Sequence, residues 1–297
     1  SGEDGFTVHR EACRIANALS EAGPSFYSVE DGMVTESSLT SVLPAAYGDR
    51  FFLVAISGQP EFRPAYDALC RMGFYDFEPD RIRELQSTGP TEILASDGAN
   101  LSSVFRRLGE FDKERQNRVL EYLTLVVPSI SEVTVKAIGK KETLTFRQYG
   151  KAPNGRFNFN DLAAYGSCFD AESMSDGTLR ALAVLVALFQ SPFSSGAVVP
   201  LVALEEPETG LHPGASAVLR AALTEAAEST QILATNHSPD LLDDKEIVPG
   251  VLIAVKNTDG SSIIGPIDNA SRSIIRDGLM TAGELLKQNQ LEVVDVR

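Results

Sequence analysis

A chain of 297 residues, 43% of them hydrophobic, carries enough apolar material for one large core or two modest ones, which excludes a disordered or fibrous protein. Its formal net charge of −15 excludes a surface that grips nucleic acid all over and leaves only a local basic patch for that role. Three cysteines, Cys13, Cys70 and Cys168, lie far apart without metal-ligand spacing, which excludes a disulfide framework or zinc site and fits a reducing, cytoplasmic setting.

Residues 1–60 read as short strand pieces, Phe6 to Val8, Phe26 to Val29 and Met33 to Thr35, around a turn at Asp31-Gly32. The apolar FFLVAI at 51–56 fits either a strand or a buried helix. In 61–90 the spacing of Tyr66, Leu69, Cys70 and Met72 predicts a helix with one buried face, and FYDFEPDRIREL then reads as a mixed connector. Between Leu101 and Val127 apolar residues recur every three or four positions, which predicts two helices broken near Gly109, the second ended by Pro128.

Residues 132–148 predict a β-hairpin turning at Gly139 to Lys141. From Val133 to Asn158 the cations Lys136, Lys140, Lys141, Arg147, Lys151 and Arg156 face one acid, Glu142. Two readings are open: lysines guarding the edge of an exposed hairpin, or a surface that contacts phosphate. From 175 the pattern becomes helix, strand, helix, strand (Asp176 to Gln190, Val198 to Leu204, Pro213 to Glu228, Gln231 to Thr235), the alternation of a parallel sheet. A hairpin about Asp259-Gly260 and a helix from Thr281 complete the chain. The longest apolar run, around Leu179 to Phe189, is shorter than the roughly 20 residues that span a bilayer, and no leader pattern opens the chain, so no membrane role is expected.

The chemistry concentrates in 198–213, VVPLVALEEPETGLHP, where an apolar strand ends in Glu205, Glu206 and then Glu208. Ligands of parallel sheets collect at the carboxyl ends of the strands, and paired carboxylates there can hold magnesium through water and activate a water for attack on phosphate. The plainer alternative is that these acids open a surface loop and favour the start of the next helix. Ser175, Asp176, Gly177 and Thr178 precede a helix apolar nearly all round; the turn is either an ordinary N-cap or an anion-binding helix end. The strand QILAT runs into Asn236-His237-Ser238 after one strand-helix-strand interval, which makes the two strands neighbours and puts His237 on the rim with the acids. A histidine there is either a satisfied polar residue or, as the neighbouring acids favour, the donor of a hydrogen bond to a terminal phosphate.

Together MSDGTLRALAVLVALF, VALEEPETGLHP and ILATNHSPDLLD resemble the C-terminal half of ATP-binding-cassette-type ATPases of the RecF and SMC kind, specifically the bacterial AAA-family ATPases called AAA_21. The resemblance implies an α/β fold: a P-loop NTPase-like ABC ATPase sheet, incomplete at its N-terminus, with a helical insertion and antiparallel hairpins. It divides the chain into 1–60, the remainder of an N-terminal β-rich lobe; 61–131, a helical insertion; 132–160, a basic hairpin; and 161–297, the ATPase lobe. It further implies ATP with Mg²⁺, a homodimer sandwiching the nucleotide, and protein or DNA partners in repair or phage defence. By position, Glu206 and His237 match the catalytic glutamate and switch histidine and Glu205 the metal-supporting acid. Ser175, Asp176, Gly177 and Thr178 match the signature that acts in trans, and Glu208, Thr209, Gly210, Leu211 and His212 the D-loop. Lys136, Lys140 and Lys141 are the candidates for phosphate or DNA contact. The departure is the phosphate loop: no G-x-x-x-x-G-K-S/T stands in the sequence, and the nearest candidates, Ala137 to Lys141 and Gly150 to Arg156, lack its spacing. The chain alone is therefore expected to bind ATP poorly. The alternative is a non-hydrolysing interaction or assembly subunit that retains remnants of the cassette.

Overall fold

A computed structural model describes residues 6–16, 23–89, 93–149, 166–190, 199–258 and 260–294. Two compact units result, Ser1–Met72 and Gly73–Arg297. Lys151, Arg156 and the Gly150 to Arg156 loop candidate lie outside the described residues.

In the first unit β1 (Arg10–Ile15), β2 (Ser25–Glu30) and β3 (Met33–Ser37) form an antiparallel sheet. The β2–β3 turn uses Asp31 at φ 45° and Gly32 at φ 76°, the left-handed pair that a two-residue hairpin requires. The first strand is β1 and not Phe6 to Val8, which is irregular; the alternating exposure of REACRI fits a half-buried strand better than the shorter apolar piece. FFLVAI resolves into the short helix Phe52–Ala55, whose first amides, Phe52 N and Leu53 N, donate to the Glu11 carboxylate at 2.5 and 3.0 Å. Tyr27 also donates to Glu11 and packs edge-on against Phe52 and Phe62. The Arg63–Cys70 helix forms, but Leu69 and Cys70 are exposed and no residue in it is fully buried, a correction to its predicted face.

The second unit contains β4 (Gly73–Tyr75), β5 (Gln86–Ser87), β6 (Ile130–Ile138), β7 (Lys141–Tyr149), β8 (Gly166–Asp170), β9 (Leu201–Leu204), β10 (Gln231–Ala234), β11 (Ile253–Thr258) and β12 (Ser261–Pro266). Three parallel strands in the order β10-β9-β4 make the sheet that carries the acids. β4 is an addition to the sequence reading: Gly73 and the first two residues of the supposed connector form a strand, and Tyr75 and Phe77 stack into the core. A second, antiparallel sheet pairs β7 with β6 along one edge and with β5 and β8 along the other.

The Asp176–Phe189 helix is buried on nearly every side, as an all-round apolar helix must be. The Lys113–Val126 helix lies against it, with Tyr122 stacked on Phe189 at 5.7 Å between ring centroids. Buried Gln190 ties the end of this core to the sheet: its amide donates to Tyr75 Oη at 2.7 Å and its oxygen accepts from Leu94 N at 2.9 Å. Burial pushes the Tyr75 phenol up to about 12. The break between the insertion helices falls at Asp112, not Gly109. Gly109 stays helical because the Gln116 side chain folds over it and donates to Phe105 O at 3.0 Å, while Asp112 caps the second helix by accepting from Arg115 N.

The C-terminal Ala282–Lys287 helix opens with the capping box Thr281/Glu284, and Thr281 also donates to Asp243 at 2.8 Å. A Cβ on Gly283 would stand 2.3 Å from Pro239 O and 2.9 Å from Asp243 N, both backbone atoms. Gly283→Ala is therefore expected to cost about 1–3 kcal/mol through overpacking, read as a lowered denaturation midpoint; an unchanged midpoint refutes this close packing.

Candidate functional site

β9 ends at Leu204, and the chain is held there from both sides: Glu205 N donates to Tyr75 O at 2.9 Å, and Thr235 N donates to Leu204 O at 3.0 Å. Glu206 then takes φ 39°, a left-handed conformation that a non-glycine residue adopts at a cost of about 1–2 kcal/mol. Neighbouring groups hold it in place. Its N–H donates to Thr235 Oγ1 at 3.1 Å, its carbonyl accepts from Thr209 N at 2.9 Å, and its carboxylate accepts from Thr209 Oγ1 at 2.9 Å.

His237 follows β10 as the neighbouring strand, and its Nε2 lies 3.7 Å from Glu206 Oε1. The histidine side chain is 86% exposed and that of Glu206 41%, so both present polar atoms to solvent at the carboxyl end of the sheet. Glu208 turns the other way. Its Oε1 accepts from His237 N and Ser238 N, each at 3.3 Å, and its Oε2 is buried with no hydrogen-bond partner. Leaving a buried polar oxygen without a donor costs about 1–3 kcal/mol, which the two bonds at the other oxygen offset.

Beside Glu205 opens a cavity of about 440 Å³. Its floor is the sheet row Phe74, Ala203 and Leu233, aligned across the three strands, and its rim includes Asp76, Glu78 and Glu205. Phe74 is 60% and Leu233 49% exposed, so this face is open, although parallel sheets are ordinarily covered on both faces. Among the described residues β10 also has no strand on its outer edge, and no cluster of three metal-binding side chains occurs.

The Ser175 turn is a capped helix start: Ser175 Oγ accepts from Thr178 N at 3.3 Å and lies 2.8 Å from Thr178 Oγ1. Gly177 abuts the loop after the acids, where a Cβ would lie 2.1 Å from Gly210 O. Gly210 has φ 80°, which permits that approach. Thr209 serves Glu206, Leu211 packs against the core, and His212 Nδ1 accepts from Gly214 N at 3.1 Å, so His212 caps its own turn. Among the described residues none of Ser175, Asp176, Gly177 and Thr178 hydrogen-bonds to Glu205, Glu206 or His237.

Arg83 is a contact that the sequence did not reveal. It donates to Met174 O at 2.9 Å, to Asp80 at 2.8 Å and to Asp176, and so clamps the turn from 93 residues away. The guanidinium hydrogen-bonded to Asp176 holds that carboxyl below the ordinary carboxylate range. With the folded value lowered, this contribution is complete above the unfolded value of about 3.9 and fades as pH falls through the folded one. It is small on so exposed a pair. A carboxyl-carbon NMR titration is expected to place Asp176 lower in the native protein than in Arg83→Ala; equal midpoints refute the clamp.

The basic stretch is partly neutralised. Lys136 pairs with Asp170 at 3.2 Å and Arg147 with Glu132 at 2.9 Å, whereas Lys140 and Lys141, at the exposed hairpin turn, have no acid partner among the described residues. No described helix is long and apolar enough to cross a membrane.

An SMC ATPase described for ATP-driven dimerization and DNA-stimulated activation is 12% identical, with 59% of this chain matched to 96% of that one at a TM-score of 0.40. The SMC head domain from Thermotoga maritima is 11% identical over 87% of this chain and 74% of its own, at 0.40. The Smc head of Pyrococcus furiosus with an extended coiled coil, bound to the C-terminal domain of ScpA, is 16% identical over 60% of this chain and 40% of its own, at 0.39. No curated protein matches the sequence. Residues 94–243, which hold the Ser175 turn, the acids and His237, match AAA_21, the family described as "AAA domain, putative AbiEii toxin, Type IV TA system", and the chain belongs to that family.

Proposed function

We propose that this chain is the catalytic half of an ATP hydrolase that works as a nucleotide-sandwiching dimer and takes its phosphate-cradling loop from outside residues 1–297. The observation that carries this is the approach of His237 Nε2 to within 3.7 Å of Glu206 Oε1 at the ends of neighbouring parallel strands. Glu206 orients and deprotonates the attacking water, and His237 donates to the γ-phosphate as charge builds on it. Glu205 supports Mg²⁺. The fit rests on donor chemistry: exposed carboxylates at a cavity, Glu205 with Asp76 and Glu78 on the same rim, suit an ion that keeps most of its waters. When bound, that ion neutralises phosphate charge.

The open face over Phe74, Ala203 and Leu233 and the outer edge of β10, unpaired among the described residues, favour a further strand and helix there, the elements that flank a phosphate loop. The signature turn, with no bond to Glu205, Glu206 or His237 among the described residues, favours action in trans: Ser175 and the amides of Gly177 and Thr178 meet nucleotide held by a second copy. A non-hydrolysing assembly subunit has no need of a glutamate kept at φ 39° beside a histidine, which counts against that alternative. A DNA surface draws less support, because the Lys136 and Arg147 charges are already paired.

The test compares Mg²⁺-dependent ATP turnover by residues 1–297 with turnover by the same residues preceded by a strand, a G-x-x-x-x-G-K-S/T loop and a helix. Turnover is expected only in the second. Tight ATP binding without hydrolysis in the extended protein would overturn the proposal.

A further inference from the structure

We infer that Glu208 is the positioning residue of this site: its carboxylate fastens the His237 turn to the strand end that carries Glu205 and Glu206. The His237 side chain is largely exposed, and its one ion-pair partner among the described residues is Glu206 at 3.7 Å, so the imidazole is placed by its backbone. That backbone is held from two sides: Asn236 braces Ser238, donating to its carbonyl at 2.8 Å, and Glu208 holds the His237 amide. Among the described residues the His237 N–H has Glu208 Oε1 as its acceptor, whereas Ser238 N also donates to Asn236 Oδ1 at 2.9 Å. Glu208 is itself fixed, because its carbonyl accepts from Leu211 N at 3.0 Å. The consequence for catalysis rests on the proposed hydrolase; the contact itself does not.

Hydrogen exchange on the native chain tests the contact. Glu208→Ala is expected to speed exchange of the His237 amide about tenfold and to change Ser238 less, since Asn236 still accepts from it. Glu208→Gln keeps a weaker, neutral acceptor and is expected to give a rise of about threefold, a readout that survives misfolding of the alanine variant. Asn236→Ala is expected to leave His237 unchanged. His237 exchange unaltered in both Glu208 variants overturns the inference whatever the turnover. In the loop-bearing protein, Glu208→Ala is expected to lower kcat about tenfold or more with KM within about twofold, and Glu208→Gln to recover most of it, as a group that places His237 without touching nucleotide would. Altered exchange in a protein that never hydrolyses ATP would overturn the hydrolase and leave the positioning role standing.

Discussion

Glu206→Gln in the loop-bearing protein is expected to slow ATP hydrolysis by about 10²–10⁴-fold while leaving nucleotide bound and the dimer closed. The amide keeps nearly the shape of the carboxylate and can still accept from Thr209 Oγ1, which lies 2.9 Å from Glu206 Oε2. It cannot take a proton from water, so the loss falls on the chemical step. Single-turnover kinetics with size-exclusion chromatography in ATP separates the two effects. Normal turnover would remove Glu206 from the base role, and loss of ATP binding together with turnover would make its contribution structural.

Gly177→Ala is expected to destabilise the second unit by about 1–3 kcal/mol, a fall in melting midpoint of about 2–10 °C. Two effects oppose each other. Alanine in place of glycine inside a helix gains up to about 1 kcal/mol of propensity. Against it, the new methyl would sit 2.1 Å from Gly210 O and 3.0 Å from Gly210 C, backbone atoms with no rotamer to yield. Gly210 is also confined by its own turn, at φ 80° with Leu211 N bonded to Glu208 O. The clash wins. Gly250→Ala, where a Cβ meets nothing within 4 Å, is the control, and equal midpoints for the two variants would refute the contact.

Where local chemistry decides, the sequence was legible. Alternating Val and Thr about Gly139, the Asp31-Gly32 pair and the helix start at Thr281 were each read from local residues, and each forms. The meeting of Glu206 and His237 was legible for a different reason: a strand, a helix and a strand between them leave little choice but neighbouring parallel strands. The phosphate-contact reading of the basic hairpin was weakened by partners it could not see, since Asp170 reaches Lys136 only through the β7–β8 pairing. For the same reason Arg83 and the inward turn of Glu208 were hidden; their bonds are made across 93 and 29 residues to backbone and side-chain atoms that carry no pattern. β4 was too short for any periodicity to show.

The left-handed backbone at Glu206 has a practical bearing on engineering this protein. A search for heat-tolerant variants will find glycine attractive there, because it relieves the torsion and forfeits only the exposed contacts of the carboxylate with the Thr209 hydroxyl and His237. Such a variant would outlast its parent on heating yet lack the proposed proton acceptor, so thermal screens of this fold should hold residue 206 fixed and be scored on turnover as well as melting.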